Sequence, residues 1–414
     1  MTASTLLLYI SLFLGSQALL GLAFTLLRKR SEAVAGMLDD KEQQPRRQLS
    51  AWSGVRTFRV ARRAYEDAAQ TQCSFYLEPV DAQALPAFKP GQFLTFSLLL
   101  PAQPGAAART MTRCYSLSDS PAPNHYRITI KRVGAPAAPS GIPDGVASNF
   151  FHDHVHAGNT LQIRAPSGHF HLDTDGLAPV VLIAGGIGIT PLMSMLRWCA
   201  QHQPQRAVHL YYGVRNSAEQ AYKALLEDMA GRMPQLRLHV VYSKPLLDDK
   251  EGIDYQHLGH ADLPLLKQTL PPGLHQFYIC GPTAMLEALV PGLSQWGVAS
   301  SDIHFEAFGP ASVRVPAAAT AEEAVYPQGE PLDIQFTRSG RTLQWHGKHA
   351  NLLDFAEAHG IAVESGCRSG SCGSCLTRVA SGTVVYDHAP DFDLLPGQCL
   401  LCVGKPRSPL AIEA

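Results

Sequence analysis

Three cysteines late in the chain, Cys367, Cys372 and Cys375, stand in C-x4-C-x2-C spacing within ESGCRSGSCGSC. That is a thiolate spacing for a [2Fe–2S] cluster. Ser369, Gly370, Ser371, Gly373 and Ser374 fill the gaps. Small residues let the backbone wrap closely and turn its N–H groups toward the sulfurs, since glycine accepts close approach and unusual dihedrals. Zinc is the competing reading: Cys372/Cys375 with Cys399/Cys402 would supply two knuckles. It leaves Cys367 unused and the glycine-rich loop unexplained. Nine cysteines in 414 residues are too few for a disulfide scaffold, and five of them crowd this one stretch, which reads as metal binding in a reducing compartment. Cys73, Cys114, Cys199 and Cys280 are scattered and by default read as small buried hydrophobes.

Around this loop the chain divides by texture. Residues 6–27, LLLYISLFLGSQALLGLAFTLL, carry no charge and are followed by Arg28, Lys29 and Arg30. The run is long enough for a bilayer core of about 30 Å, and the trailing charges set the N-terminus outside. The expectation is a transmembrane anchor over 1–30 in the inner (cytoplasmic) membrane, with catalytic domains in the cytoplasm and the lipid bilayer as a partner. A cleavable signal or a buried helix is the alternative. Residues 31–53 are polar and aperiodic and read as a linker. Over 54–175, short strand-like runs punctuated by Gly, Pro and Asp predict an antiparallel β-barrel. Over 176–310, buried strands alternate with helical segments and predict a parallel α/β sheet. An Ala/Pro/Glu-rich linker covers 311–330 and a compact α+β domain 331–414. A net charge of −1 argues against nucleic acid as a partner.

In the barrel region, RCYSLSDSP at 113–121 supplies an Arg guanidinium suited to bidentate pairing with phosphates, with Tyr115, Ser116 and Leu117 beside it. YRITIKRV follows with Lys131 and Arg132, then Gly145, Val146, Ala147 and Ser148 open a helical stretch whose N–H groups suit a pyrophosphate. The segment 134–145 reads as an inserted loop. His152, His154 and His156 bring only their outer pair to one helix face, and solvated histidines are the expectation over a metal site.

In the α/β region, AGGIGITP follows a buried strand and opens a helix. Gly185, Gly186 and Gly188 allow close approach to a pyrophosphate, and Thr190 and Pro191 end the loop where the Rossmann fingerprint would carry another glycine. CGPTAM places Cys280, Gly281, Pro282 and Met285 after a later strand. Arg215, Ser243 and Lys244 at strand ends suit a 2′-phosphate electrostatically.

These motifs, in order, resemble the ferredoxin–NADP reductase superfamily: R-x-Y-S-L, G-G-x-G-x-T-P, C-G-P-x-x-M and, at the end, a plant-type ferredoxin domain of β-grasp fold. The reductase part, with APSGHFHL, is similar to that of flavohaemoglobins, which implies FAD; relatives of the phthalate dioxygenase reductase type use FMN. The resemblance implies Ser116, Cys280 and Glu306 at the hydride-transfer site, Phe308 near the flavin ring, and NADH or NADPH as donor, with fused reductases mostly resembling NADH users. It also implies Cys402 rather than Cys399 as fourth ligand. The expected function is a membrane-anchored NAD(P)H-to-FAD-to-[2Fe–2S] relay feeding a membrane-associated oxygenase, hydroxylase or desaturase. Direct quinone or ferric reduction, or a redox sensor without turnover, are the rival readings.

Overall fold

The computed structural model describes residues 51–52, 54–100, 109–134, 145–308 and 331–414, apart from 369, 388, 389, 391 and 393. The first domain is a barrel of β1 (Val55–Tyr65), β2 (Gln72–Pro79), β3 (Phe93–Leu100), β4 (Arg109–Ser116), β5 (Tyr126–Lys131) and β6 (Thr160–Ser167). In β6, Leu161, Ile163 and Ala165 turn inward while their neighbours turn out, the period-two pattern of a half-buried strand. All pairings are antiparallel, in the order β4-β3-β6-β1-β2-β5. A bridge between Leu117 and Ile128, with the Ser118 N–H donating to the Arg127 carbonyl at 2.8 Å, draws the end of β4 against β5 and closes the sheet. Helix α1 (Val146–His154) plugs one side. Its Phe151 is fully buried and meets Phe75 and Phe96 edge-on, at 5.3 and 5.5 Å between ring centroids, pairs that add about 0.5–1.5 kcal/mol each beyond burial.

The second domain runs β7 (Val180–Gly185), α2 (Ile189–His202), β8 (Val208–Val214), α3 (Lys223–Arg232), β9 (Leu236–Tyr242), β10 (His257–Leu258), α4 (Leu263–Thr269), β11 (Gln276–Gly281), α5 (Thr283–Gln295) and β12 (Ile303–Ala307). The sheet is parallel, ordered β10-β9-β8-β7-β11-β12. One core lies under α2 and α3 and another under α4 and α5. With both faces covered, the central strands read as continuous apolar runs. Strand order reverses between β7 and β11, so the loops leaving their C-terminal ends open the crevice where such sheets bind ligands.

The third domain holds β13 (Leu332–Phe336), β14 (Arg341–Trp345), α6 (Leu352–Ala358), β15 (Leu376–Ser381), β16 (Val384–Tyr386), β17 (Gln398–Leu400), β18 (Gly404–Pro406) and β19 (Leu410–Ile412). A mixed sheet, β14-β13-β19-β15-β17, packs α6 against its apolar side. Asn351 caps α6 by accepting the Asp354 N–H at 2.8 Å, satisfying one of the helix's orphan donors.

One expected element is corrected. No helix among the described residues is long and apolar enough to cross a membrane, and the run at 6–27 lies outside the described residues. An uncharged stretch of sufficient length is necessary for a span but does not specify a continuous helix. The transmembrane element leaves the fold class, and the inner-membrane localisation and bilayer partner that rested on it leave with it. The linkers and most of the inserted loop also fall outside the described residues, although Trp52 packs on the barrel and donates from Nε1 to the Ile163 carbonyl at 3.3 Å.

Candidate functional site

The two glycine motifs of the α/β domain meet because β7 and β11 are adjacent, with Cys280 paired to Ala184. Their loops touch backbone to backbone. A Cβ on Gly281 would lie 3.0 Å from the Gly185 Cα, and one on Gly185 would lie 2.6 Å from the Pro282 Cδ and 3.0 Å from the Met285 Sδ. Gly186 takes φ +53, a left-handed conformation that costs glycine nothing. Thr190 and Pro191 are buried in the first turn of α2, where the Thr190 hydroxyl donates to the Ile187 carbonyl at 3.0 Å. They hold the turn and do not line the crevice.

The crevice is a cavity of about 710 Å³. Gly185, Gly186, Pro282 and Met285 wall one part of it, and Lys131, Arg215, Glu219 and Ser243 another. The sequence therefore named residues from five separate segments that converge on one cavity. Lys244 is not among its lining residues; its N–H instead donates to the Arg215 carbonyl at 2.8 Å, holding the strand ends together. Glu219, which the sequence reading missed, bridges Arg215 at 2.5 Å and Lys131 at 3.1 Å. Those two cations hold its carboxyl below the usual range against the opposing effect of burial. The i, i+4 spacing from Arg215 was visible; the second bridge, from the barrel, was not.

Cys280 is fully buried, and burial pushes its thiol well above the usual range, with the Glu306 carboxylate adding to the effect. Parallel pairing sets Cys280 beside Glu306 on β12. Ser116 reaches from β4 to Glu306 at 3.5 Å, so the three residues of the expected hydride-transfer site share one locus. Glu306 is half-buried, and its carboxyl is pushed up to about 8 by desolvation, lowered in part by Ser116 and raised by Cys367. Because the folded value exceeds the ordinary 4.5, this group favours the folded state most at low pH, and the contribution is lost as pH rises from about 4.5 to about 8. Denaturant midpoints measured across that window should fall more steeply for the wild type than for Glu306→Gln.

On the flavin side, Arg113 donates to the Thr112 carbonyl at 2.7 Å and has no carboxylate partner among the described residues. A guanidinium without a carboxylate suits a phosphate. Tyr115 packs edge-on against Phe96 and Phe151, and burial pushes its hydroxyl above the usual range. Leu117 is a barrel core residue. At the start of α1, Ser148 donates to the Gly145 carbonyl at 2.9 Å and accepts the Val133 N–H at 3.2 Å, fixing a helix N-terminus with no acidic residue in its first turn. Val146 is exposed and Ala147 buried there. These donors fit a nucleotide pyrophosphate. Arg132 pairs instead with Asp153 at 2.6 Å. Of the three nearby histidines, His152 bonds the Ile130 carbonyl and His156 the Arg63 guanidinium.

The cysteine loop sorts its sulfurs into two pairs. The Cys367 N–H donates to the Cys372 Sγ at 3.2 Å, and the Cys372 N–H returns to the Cys367 Sγ at 3.3 Å. The Cys402 N–H donates to the Cys375 Sγ at 3.4 Å. Among the described residues no three His, Cys, Asp or Glu side chains gather as for a single ion; two pairs fit a two-iron cluster, whose irons each take two protein thiolates. Cys399 points elsewhere: it is fully buried opposite Thr377 on β15, and burial pushes its thiol up to about 12. Arg368 holds a left-handed φ of 55 within the loop, tied to Glu357 at 2.5 Å and Asp354 at 3.5 Å on α6. Gly373 leaves room for Phe392, whose Cζ a Cβ would approach to 2.6 Å.

Fold and site together define an electron-transferring flavoprotein with a pyridine-nucleotide pocket and a cluster-binding module. The chain belongs to the ferredoxin reductase family, with an oxidoreductase FAD-binding domain at 73–172, an oxidoreductase NAD-binding domain at 182–290 and a 2Fe-2S iron-sulfur cluster binding domain at 335–407. It is an NAD(P)H-dependent oxidoreductase carrying FAD and a [2Fe–2S] cluster. A flavohemoprotein of Oceanobacillus iheyensis is 37% identical over 267 residues, 64% of this chain and 62% of that one. The chain thus spans less than two thirds of that relative. The flavohem-like FAD/NAD-binding domain of nitric oxide dioxygenase from Vibrio cholerae superposes with a TM-score of 0.53 at 28% identity, covering 62% of this chain and 100% of that one. Phthalate dioxygenase reductase, described as a modular structure for electron transfer from pyridine nucleotides to [2Fe–2S], superposes at 0.50 with 25% identity, over 87% of this chain and 98% of that one.

Proposed function

We propose that the protein is the reductase component of an oxygenase, hydroxylase or desaturase system, passing electrons from NAD(P)H to FAD, to the cluster, and on to a separate protein. The observation that carries this reading is the packing of Arg164, on strand β6 of the flavin barrel, over the ring of Phe392 at 5.8 Å from its centroid, Phe392 itself lying against Gly373 of the cysteine loop. It sets the entry of electrons against their exit. Flavin supplies hydride acceptance and single-electron release, and the cluster supplies one-electron storage.

The chain's own residues supply the rest. Gly185, Gly186 and Gly188 admit the dinucleotide, with Pro282 and Met285 shaping the pocket beside Cys280 and Phe308 closing the flavin side. Arg113, Lys131 and the Gly145–Ser148 turn hold phosphates, Tyr115 flanks the flavin, and Ser116 with Glu306 holds a proton at its edge. Cys367 and Cys372 ligate one iron, Cys375 and Cys402 the other. In the test, anaerobic NADH should reduce both centres, and the reduced protein should support turnover by a purified oxygenase component. A cluster-free variant that feeds the acceptor as fast as the wild type overturns the relay.

Within this reading NADH is the preferred donor, because Glu219 already neutralises the cations that would bind a 2′-phosphate. Glu219→Gln should raise the NADPH-to-NADH ratio of kcat/KM about tenfold, which is about 1.4 kcal/mol. An unchanged ratio in steady-state kinetics would remove Glu219 from nucleotide choice.

A further inference from the structure

The R-x-Y-S-L pattern stops at Leu117, and just beyond it Asp119 and Ser120 meet helix α2 of the α/β domain. Ser194, Arg197 and Gln201 share one face of that helix, at i, i+3 and i+7. The Arg197 Nε lies 2.6 Å from one Asp119 carboxylate oxygen, and the other oxygen lies 3.7 Å from the Nε of Arg127 on β5. The Ser194 hydroxyl donates to the Asp119 carbonyl at 2.6 Å, and the Ser120 hydroxyl donates to the Gln201 side-chain carbonyl at 2.8 Å. Asp119 thus pairs with one cation from each domain. Arg127 is buried, donates to the Ser118 carbonyl and hydroxyl, and lies over the Tyr222 ring at 5.1 Å. Asp119 is its carboxylate partner among the described residues. Removing the carboxylate from a buried guanidinium leaves an uncompensated charge, so this segment is held where it is. Nothing in the sequence marks Asp119, because the motif ends before it and folding alone supplies its partners.

We infer that Asp119 is a positioning residue for hydride transfer: its carboxylate fastens the end of the flavin strand to helix α2 and so sets the nicotinamide pocket against the flavin edge. The inference rests on the reading of Ser116 and the glycine loop as the two sides of the hydride-transfer site. Ser116 ends β4 just before Asp119 in the chain, and α2 begins directly after Gly188. The fastening therefore acts close to both sides of the reaction. An exposed ion pair would contribute little. Here the Asp119 side chain is 14% exposed and that of Arg127 4%, and two hydroxyl hydrogen bonds across the same boundary fix the register. Glu219 also joins the two domains, but from within the nucleotide cavity; Asp119 is not among that cavity's lining residues, so it acts through the elements it joins. Hydride transfer is steep in distance, and a misplacement of about 1 Å lowers the rate on the order of 100-fold.

The test is anaerobic stopped-flow reduction of full-length holoprotein by NADH, in wild type, Asp119→Ala, Arg197→Ala and the double variant, after FAD and iron are quantified in each. Asp119→Ala should slow the limiting rate of flavin reduction about tenfold. Its NADH dissociation constant should stay at the wild-type value, the split expected when geometry rather than binding is lost. Dithionite should still reduce its flavin completely. The long-wavelength charge-transfer absorption of NAD⁺ against reduced flavin, which reports how the two rings stack, should weaken in parallel. Arg197→Ala should slow reduction by a smaller factor, and the double variant should be no slower than Asp119→Ala alone, the non-additivity of contacting residues. Wild-type limiting rates in both single variants overturn the inference, as does slowing that comes only from weaker NADH binding. If Asp119→Ala is recovered without FAD, Arg197→Ala decides alone: a slower limiting rate at unchanged NADH affinity supports the role, and a wild-type rate overturns it. Wild-type holoprotein whose flavin NADH fails to reduce would instead overturn the hydride-transfer reading beneath it.

Discussion

Cys402→Ser should purify with its flavin but with almost no iron or acid-labile sulfide, while Cys399→Ala keeps both near wild-type content. Both residues are buried and lie three positions apart in GQCLLCVGKP, so burial does not separate them. Pairing does. The Cys402 N–H donates to the Cys375 sulfur at 3.4 Å. Cys399 lies on β17 opposite Thr377, its thiol within the domain's apolar core. Removing the second thiolate of a pair leaves one iron short of a ligand. Removing Cys399 leaves a small cavity, at a cost of about 1 kcal/mol. Electronic absorption, iron analysis and the low-temperature paramagnetic signal of the reduced cluster would check this. Equal cluster loss in both variants would sink the assignment of Cys402.

Gly188→Ala should be the most damaging single methyl in the nucleotide site. Its Cβ would press into the Cys280 carbonyl and stand 2.8 Å from the Gly281 nitrogen. Those are backbone atoms of the opposing loop and cannot rotate aside. The β7 and β11 loops must separate, which costs about 1–3 kcal/mol of stability and displaces both walls of the nicotinamide pocket. A misplacement of about 1 Å lowers turnover on the order of 100-fold. Gly186→Ala is the informative contrast: nothing lies within 4 Å of its Cβ, and only its positive φ opposes the substitution. Stopped-flow reduction of the flavin by NADH, with thermal midpoints alongside, should show Gly188→Ala far slower than Gly186→Ala. Equal rates would show that the close approach of the two loops is not what positions the nucleotide.

Local chemistry that is written in short windows was legible. The cysteine spacing, the R-x-Y-S-L strand and the two glycine loops each carry their requirement within a few residues, and the periodicities that surround them give barrel, parallel sheet and α+β domain. Hydropathy over 6–27 suggested a span, a reading that falls outside the described residues, among which no helix is long and apolar enough to cross a membrane. Arg132 was expected at phosphate and pairs with Asp153 instead, since a guanidinium's partner depends on what the fold brings near.

The cysteine spacing by itself determined that this protein carries a thiolate-bound cluster, and with the upstream motifs it determined the redox chain. Only the tertiary structure decided how the sulfurs pair and that Glu219 bridges two cations from different domains. The reason is physical. Spacing along a chain fixes which groups a loop can present, whereas a contact between residues 88 positions apart, as from Lys131 to Glu219, is fixed by packing of whole domains.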